Sequence, residues 1–245
     1  SALDLASRVV SELIARANLP VKEIDRVVYG QVVASVATPN IAREIVLATG
    51  LPHSVDAYSV SRACATSTQS VTEGAMAIES GEADIVICGG AEGLSKPPIT
   101  FSDRFVEILM KANSARTPTD KAKAFLSLKP KDLLPNPPAI AEFSTGETMG
   151  ESAEKMAKEN GIRREDQDEL AARSHANATK AWNDGIYDNE VLAFPVSPEY
   201  KQTVDRDNLV RPDTSYEKLS RLRPVFDRKH GSVTAGNASP LTDGA

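Results

Sequence analysis

The sequence is poor in cysteine, histidine, long apolar runs and clustered positive charge, and each scarcity removes a class of function. Its two cysteines, Cys64 and Cys88, are too few for a disulfide framework, which points to a reducing compartment. The three histidines, His53, His175 and His230, stand apart, and neither cysteine has metal-ligand spacing to any of them; no metal is expected. Nowhere do about 18 apolar residues run unbroken, so no membrane-spanning helix is expected. The opening stretch SALDLASRVVSELIARANLP does not read as a signal peptide. Leu5, Val9, Leu13 and Ala17 recur every four positions, and Asp4, Arg8 and Glu12 interrupt any apolar core. The net charge of −6, with no long basic block, gives nucleic acid or an anionic membrane no footprint. Net charge says nothing of a single cleft, so a local cationic pocket for a phosphorylated cofactor stays open. No internal repeat or low-complexity tract is present.

What is there suits a globular α/β protein: 245 residues, 41% apolar and 25% charged, enough for a sizeable core. The first ninety residues alternate. A helix over 3–17 precedes a strand over 25–33. Asn40 is placed to cap a helix that runs to Thr49 and stops at Gly50. A strand over 55–60, a helix over 68–80 closed by Gly81, and an apolar strand over 83–90 follow. Strands alternating with helices predict a sheet covered on both faces. After Gly93 the pattern changes to Pro-containing segments and helices. VEILMKANSARTPTDKAKAFLSL is broken by Pro118, and 152–182 is helical in period. GSVTAGN (231–237) reads as one more strand, able to return to the first sheet. Residues 93–224 are therefore expected to be an insertion within a core domain made of 1–92 and 225–245. Ser1 opens almost directly into a helix and SPLTDG at the other end leads onward, so a portion of a longer protein is expected.

SRACATSTQS (61–70) places a lone thiol between the strand VDAYSV and a helix that starts near Thr66. Free N–H groups and the dipole at a helix N-terminus favour negative charge, which suits a thiolate nucleophile. Ala63, Ala65, Thr66 and Ser67 are small enough to admit a carbonyl. The alternative is that Cys64 is a small buried hydrophobe, as most single cysteines are. Cys88, inside an apolar strand, takes that second reading. A thiolate nucleophile needs a base or cationic partner, and neither His53 nor His230 of RKHG is a convincing one.

Four segments together resemble the thiolases: SRACATSTQS with ICGGAEGLS, GETMGESAEKMAKENGIRREDQDELAARSH (146–175), LRPVFD (222–227) and GSVTAGNASPLTDGA (231–245). They fall in the family's order and span nearly the whole chain. YGQVVASVATPNIAREIVLATGLP and KPKDLLPNPPAIAEFSTG look closest to one branch. That branch is the 3-ketoacyl-CoA thiolases of fatty-acid β-oxidation complexes, the trifunctional-enzyme β-subunit among them. The resemblance implies an α/β fold: the N-terminal half of a five-layer αβαβα core, with an inserted, mostly helical loop domain. It implies an acyltransferase with Cys64 as nucleophile, forming an acyl-cysteine intermediate while its backbone N–H helps bind the oxyanion. Coenzyme A would be a substrate, with no covalently bound cofactor.

By the same resemblance Thr148 and Met149 line a pantetheine tunnel, and Phe226, Ala235, Ala238, Ser239 and Leu241 border it. Apolar walls suit a slender arm, and a serine hydroxyl suits its amides. Arg211 falls near the nucleotide end of the coenzyme; its alternative is a solvated loop arginine. Thr66 replaces a frequent Ser, Thr148 replaces a His of some biosynthetic relatives, and Pro240 replaces a common Gly. The last two suggest a different tunnel shape. The family's activating His, its second Cys and the segment holding a catalytic water have no counterpart here, and the leading strand of the first half is missing as well. Little turnover is therefore expected of these 245 residues alone. Partners implied are CoA thioesters, a second copy of the chain and a hydratase/dehydrogenase subunit, in a cytoplasm or mitochondrial matrix. The alternatives are a biosynthetic acetoacetyl-CoA thiolase, with a ketoacyl synthase ranked behind it, and a non-catalytic dimerisation or partner-binding domain. Membrane contact by 111–131 is set against a solvated loop, and the modest cationic and apolar character favours the loop.

Overall fold

A computed structural model describes residues 1–136 and 141–245. The described residues divide into two compact units: those up to Pro138 with Thr242–Ala245, and those from Ala139 to Leu241.

The first unit is built on three parallel strands. Helix α1 (Ala2–Arg16) starts at Ser1, whose hydroxyl and amino group form a capping box with Asp4. It buries Ala2, Ala6 and Val10, one residue every four. Strand β1 (Arg26–Gly30) is preceded by Asp25, whose carboxylate accepts the amides of Asp84 and Ile85 at 2.8 and 3.0 Å. These bonds align the start of β1 with that of β3 (Val86–Gly90) and hold the Asp25 carboxyl below its ordinary range. Helix α2 (Ile41–Ala48) is capped by Asn40, which accepts from the Arg43 amide and donates to Ala57 O. The cap thereby docks α2 on β2 (Asp56–Val60). Helix α3 (Thr66–Glu79) joins β2 to β3.

The strand order is β2-β1-β3, all parallel, with Val28 opposite Tyr58 and Cys88. From β1 the chain moves outward through α2 and then back across β1 through α3. A single hand of crossover therefore puts these helices on opposite faces. Alternation along the strands does the rest. Val27, Tyr29 and Ile87 join Val10, Ile41, Ile45 and Val46 in the core under α1 and α2. Each such side chain contributes about 1.5–3 kcal/mol on burial. Val28, Cys88 and the strand-end glycines face α3, which lies so close that a Cβ at Gly74 would sit 2.3 Å from Cys88 Sγ. The expected two-sided covering of the sheet is present. Helices α4 (Asp103–Ser114) and α5 (Pro118–Phe125) complete this unit, and the Pro118 that breaks the helical pattern sits in the first turn of α5.

The regular structure of the second unit is mostly helix, joined by long loops: α6 (Met149–Glu159), α7 (Arg164–Asn183) and the short α8 (Tyr216–Leu219), with a two-stranded antiparallel ribbon of β4 (Phe194–Pro195) and β5 (Thr203–Val204). Gly161, at a φ of +62°, ends α6 and splits the helical stretch expected over 152–182. The strand expected over 231–237 is not formed. The Ser232 and Val233 amides are given to the Glu154 carboxylate at 2.8–2.9 Å, and the Thr234 amide to Asn237 Oδ1 at 2.7 Å. Donors so engaged cannot pair with a sheet, and alternation in the sequence carries no sign of these side-chain acceptors. Part of the KPKDLLPNPPAIAEFSTG segment lies outside the described residues. No described helix is long and apolar enough to cross a membrane.

Candidate active site

Cys64 stands one residue ahead of Ala65, the N-cap of α3, so it precedes the first helical turn instead of lying within it. Ala65 provides no side-chain cap, unlike the Ser, Thr, Asp or Asn usual there, so the helix end is open. Thr66 organises the turn. Its buried hydroxyl accepts the Arg62 amide at 2.8 Å and donates to the Ala63 carbonyl at 2.7 Å. Ala63 between them has a φ of +44°, a left-handed conformation that costs a non-glycine residue about 1–2 kcal/mol. Strain held by surrounding hydrogen bonds is characteristic of sites that must aim a side chain. Here the next side chain is the Cys64 thiol, and it is exposed.

The first turn of α3 reaches this place because the strands below end in glycine. A Cβ at Gly30 would lie 2.0 Å from Thr66 Cγ2, and one at Gly90 would lie 2.3 Å from Ser67 Oγ. Cys64 lines a cleft of about 410 Å³ with Gly30, Gln31, Gly90, Glu92 and Thr242. The cleft lies beyond the carboxyl ends of β1 and β3, where open α/β sheets bind ligands. Glu92, which sequence reasoning does not single out, ties two other segments of the rim to its own. Its carboxylate accepts the amides of Val32 and Val33, the latter at 3.2 Å, and its backbone pairs with Gly244 at 2.8 and 3.1 Å. The signal available was its place immediately past the end of an apolar strand. Cys88, by contrast, is half-buried on β3, and burial pushes its thiol up despite a backbone hydrogen bond from Gly74. Among the described residues, no three His, Cys, Asp or Glu side chains converge as a metal would require.

In the second unit a larger cleft, about 920 Å³, is walled by α7 and by the loops around 209–222 and 235–240. Four residues that the resemblance assigns to the coenzyme line it: Arg211, Ala235, Ala238 and Ser239. The Arg211 amide donates to His175 Nδ1 at 3.3 Å, fixing the loop that carries the guanidinium. The other four lie elsewhere. Thr148 is the N-cap of α6 and shares a capping box with Glu151, and Met149 follows it, exposed. The Phe226 ring covers Gly150, where an added Cβ would come within 1.8 Å of it, and borders a separate small cleft of about 340 Å³. Leu241 is exposed and lines neither cleft.

Residues 1–245 match the family model described as the thiolase N-terminal domain. Over all 245 residues the chain is 54% identical to a 3-ketoacyl-CoA thiolase of Shewanella denitrificans, covering 56% of that protein. Over 244 residues it is 52% identical to a 3-ketoacyl-CoA thiolase of Pseudoalteromonas translucida, again covering 56%. The crystal structure of the Bacillus anthracis acetyl-CoA acetyltransferase superposes with a TM-score of 0.82 at 30% identity, over 99% of this chain and 57% of that one. The chain thus spans little more than half the length of the relatives it matches, and by this agreement of sequence and fold it belongs to the thiolase family, as its N-terminal domain.

Proposed function

We propose that this chain carries the nucleophile of a 3-ketoacyl-CoA thiolase of fatty-acid β-oxidation, and that Cys64 is that nucleophile. The observation that carries the reading is the exposed Cys64 thiol, aimed from a strained turn over the carboxyl ends of the strands in a chain of this family. The Cys64 sulfur attacks the C3 carbonyl of a 3-ketoacyl-CoA. The C2–C3 bond breaks, C2 takes a proton, and acetyl-CoA leaves an acyl thioester on Cys64. The thiol of a second coenzyme A attacks that thioester, and the cysteine sulfur returns to its starting state. The Cys64 amide serves the oxyanion, and such fixed donors supply much of the rate in acyl transfer.

The 920 Å³ cleft of the second unit is the coenzyme site in this reading. Arg211 suits phosphate or the adenine face, while Ala235, Ala238 and Ser239 suit the pantetheine arm. Thr148, Met149, Phe226 and Leu241 belong to the same tunnel through the family resemblance. The division into a core of 1–92 and 225–245 with 93–224 inserted belongs to this reading too, and rests on sequence pattern. Pairing of two copies through the first half, association with a hydratase/dehydrogenase subunit, and a cytoplasmic setting rest on the resemblance and on the bacterial source of the relatives.

Brief iodoacetamide treatment followed by mass mapping tests the nucleophile. Cys64 is expected to alkylate well ahead of Cys88, and acetoacetyl-CoA is expected to slow it. Faster reaction at Cys88 would remove Cys64 from the mechanism.

A further inference from the structure

Two buried carboxylates in the second unit have no place in the acyl-transfer chemistry, and one of them governs the shape of the large cleft. Asp168, on α7, is fully buried. One of its oxygens accepts from Arg164 Nε at 2.6 Å, and the other accepts from Asn237 Nδ2 at 2.9 Å. Each partner passes the constraint on. Arg164 Nη2 donates to the carbonyls of Leu219 and Leu222, at 2.7 and 3.2 Å, which closes the turn after α8. Asn237 accepts the Thr234 amide at 2.7 Å and donates to Ser232 O at 3.0 Å, which closes the turn 232–237. The two turns then touch at Gly236, where a Cβ would lie 2.5 Å from both Leu219 Cδ2 and Leu222 Cδ1. Leu219, Leu222, Gly236 and Asn237 all line the cleft.

We propose that Asp168 is the positioning residue of this cleft. Through Arg164 it sets the 219–222 wall, through Asn237 it sets the 232–237 wall, and it references both to α7, the third wall. The surroundings favour such a division of labour. A buried carboxylate with both oxygens bonded to donors from different segments keeps its geometry only while both segments stay in place. Glu154 of α6 and Gln167 of α7 also hold the 232–237 turn, at Ser232 and Val233, but neither bonds to the 219–222 turn. Among the described residues the Asp168 network is the one whose hydrogen bonds reach both walls, which also pack on each other at Gly236. That the ligand is coenzyme A rests on the reading given above.

The test uses the whole chain, with desulfo-CoA titrated by calorimetry and amide hydrogen exchange read at the two turns. Asp168→Asn is expected to speed exchange at both 219–222 and 232–237 and to raise Kd about tenfold or more, with Cys64 alkylation in the other unit unchanged. Arg164→Lys keeps a charge opposite Asp168 but loses the second arm, so exchange quickens at 219–222 alone. Asn237→Ala does so at 232–237 alone. The effects of these two on Kd should shrink in the Asp168→Asn background, as members of one network couple. Loosened turns with unchanged Kd in all three variants overturn the proposal. So does an equal response of both turns to Arg164→Lys and to Asn237→Ala, a comparison that stands even if Asp168→Asn does not fold. A wild type that fails to bind desulfo-CoA removes the coenzyme reading instead, and the exchange pattern then still decides whether Asp168 sets both walls.

Discussion

Gly30→Ala probes how the nucleophile turn is supported, because it adds one methyl group where β1 meets the start of α3. The added Cβ would lie 2.0 Å from Thr66 Cγ2 and 3.3 Å from Val60 O. An ordinary carbon–carbon contact is about 3.5–4 Å, so one of the two groups must move by more than 1 Å. Thr66 cannot move freely, since its hydroxyl holds the Arg62 amide and the Ala63 carbonyl. Overpacking of a tight site costs about 1–3 kcal/mol, and weakening those two hydrogen bonds adds about 0.5–1.5 kcal/mol each. The expected loss is about 2–6 kcal/mol by urea unfolding, with an altered rate of Cys64 alkylation as Ala63 leaves its left-handed conformation. Thr66→Ser discriminates the cause, because serine keeps the hydroxyl and lacks Cγ2. Alone it should cost about 1 kcal/mol for the lost methyl. Combined with Gly30→Ala it should recover most of the loss and restore the alkylation rate. A Gly30→Ala protein within 0.5 kcal/mol of wild type, taken as the order of a neutral surface change, or a double variant no better than the single, would refute this account of the turn.

Two further outcomes are expected. The Asp227 carboxyl is held well below the ordinary range by Lys158 at 2.6 Å, with help from the His230 and Lys229 amides. Folding therefore favours its ionised form. That stabilisation is complete above the ordinary aspartate value, near 4, and fades as pH falls through the lowered native value. The melting temperatures of wild type and Asp227→Asn should accordingly differ at pH 6 and converge in strong acid; a gap independent of pH would contradict this. The 245-residue chain incubated with acetoacetyl-CoA and coenzyme A is expected to form little acetyl-CoA, because the His and second Cys to which the resemblance assigns the proton transfers have no counterpart among these residues. Rapid turnover would show that other groups do so.

The sequence alone determined the alternating strands and helices of the first ninety residues and marked Cys64 as a candidate, because both rest on local chemistry. Apolar periods of two and near four residues follow directly from strand and helix geometry, and Asn40, Gly81 and Pro118 mark boundaries by their own conformational limits. A thiol among small residues between a strand and a helix was visible for the same reason. What only the tertiary structure decided are bonds between segments far apart in the chain. Glu92 gathers 32–33 and 244; Glu154 takes the amides of 232–233 and so cancels an expected strand; Asp168 links 164, 237 and the turn at 219–222. A carboxylate on a helix looks the same in sequence whether it faces water or accepts buried donors some seventy residues away. Only packing removes the water and makes those donors its partners.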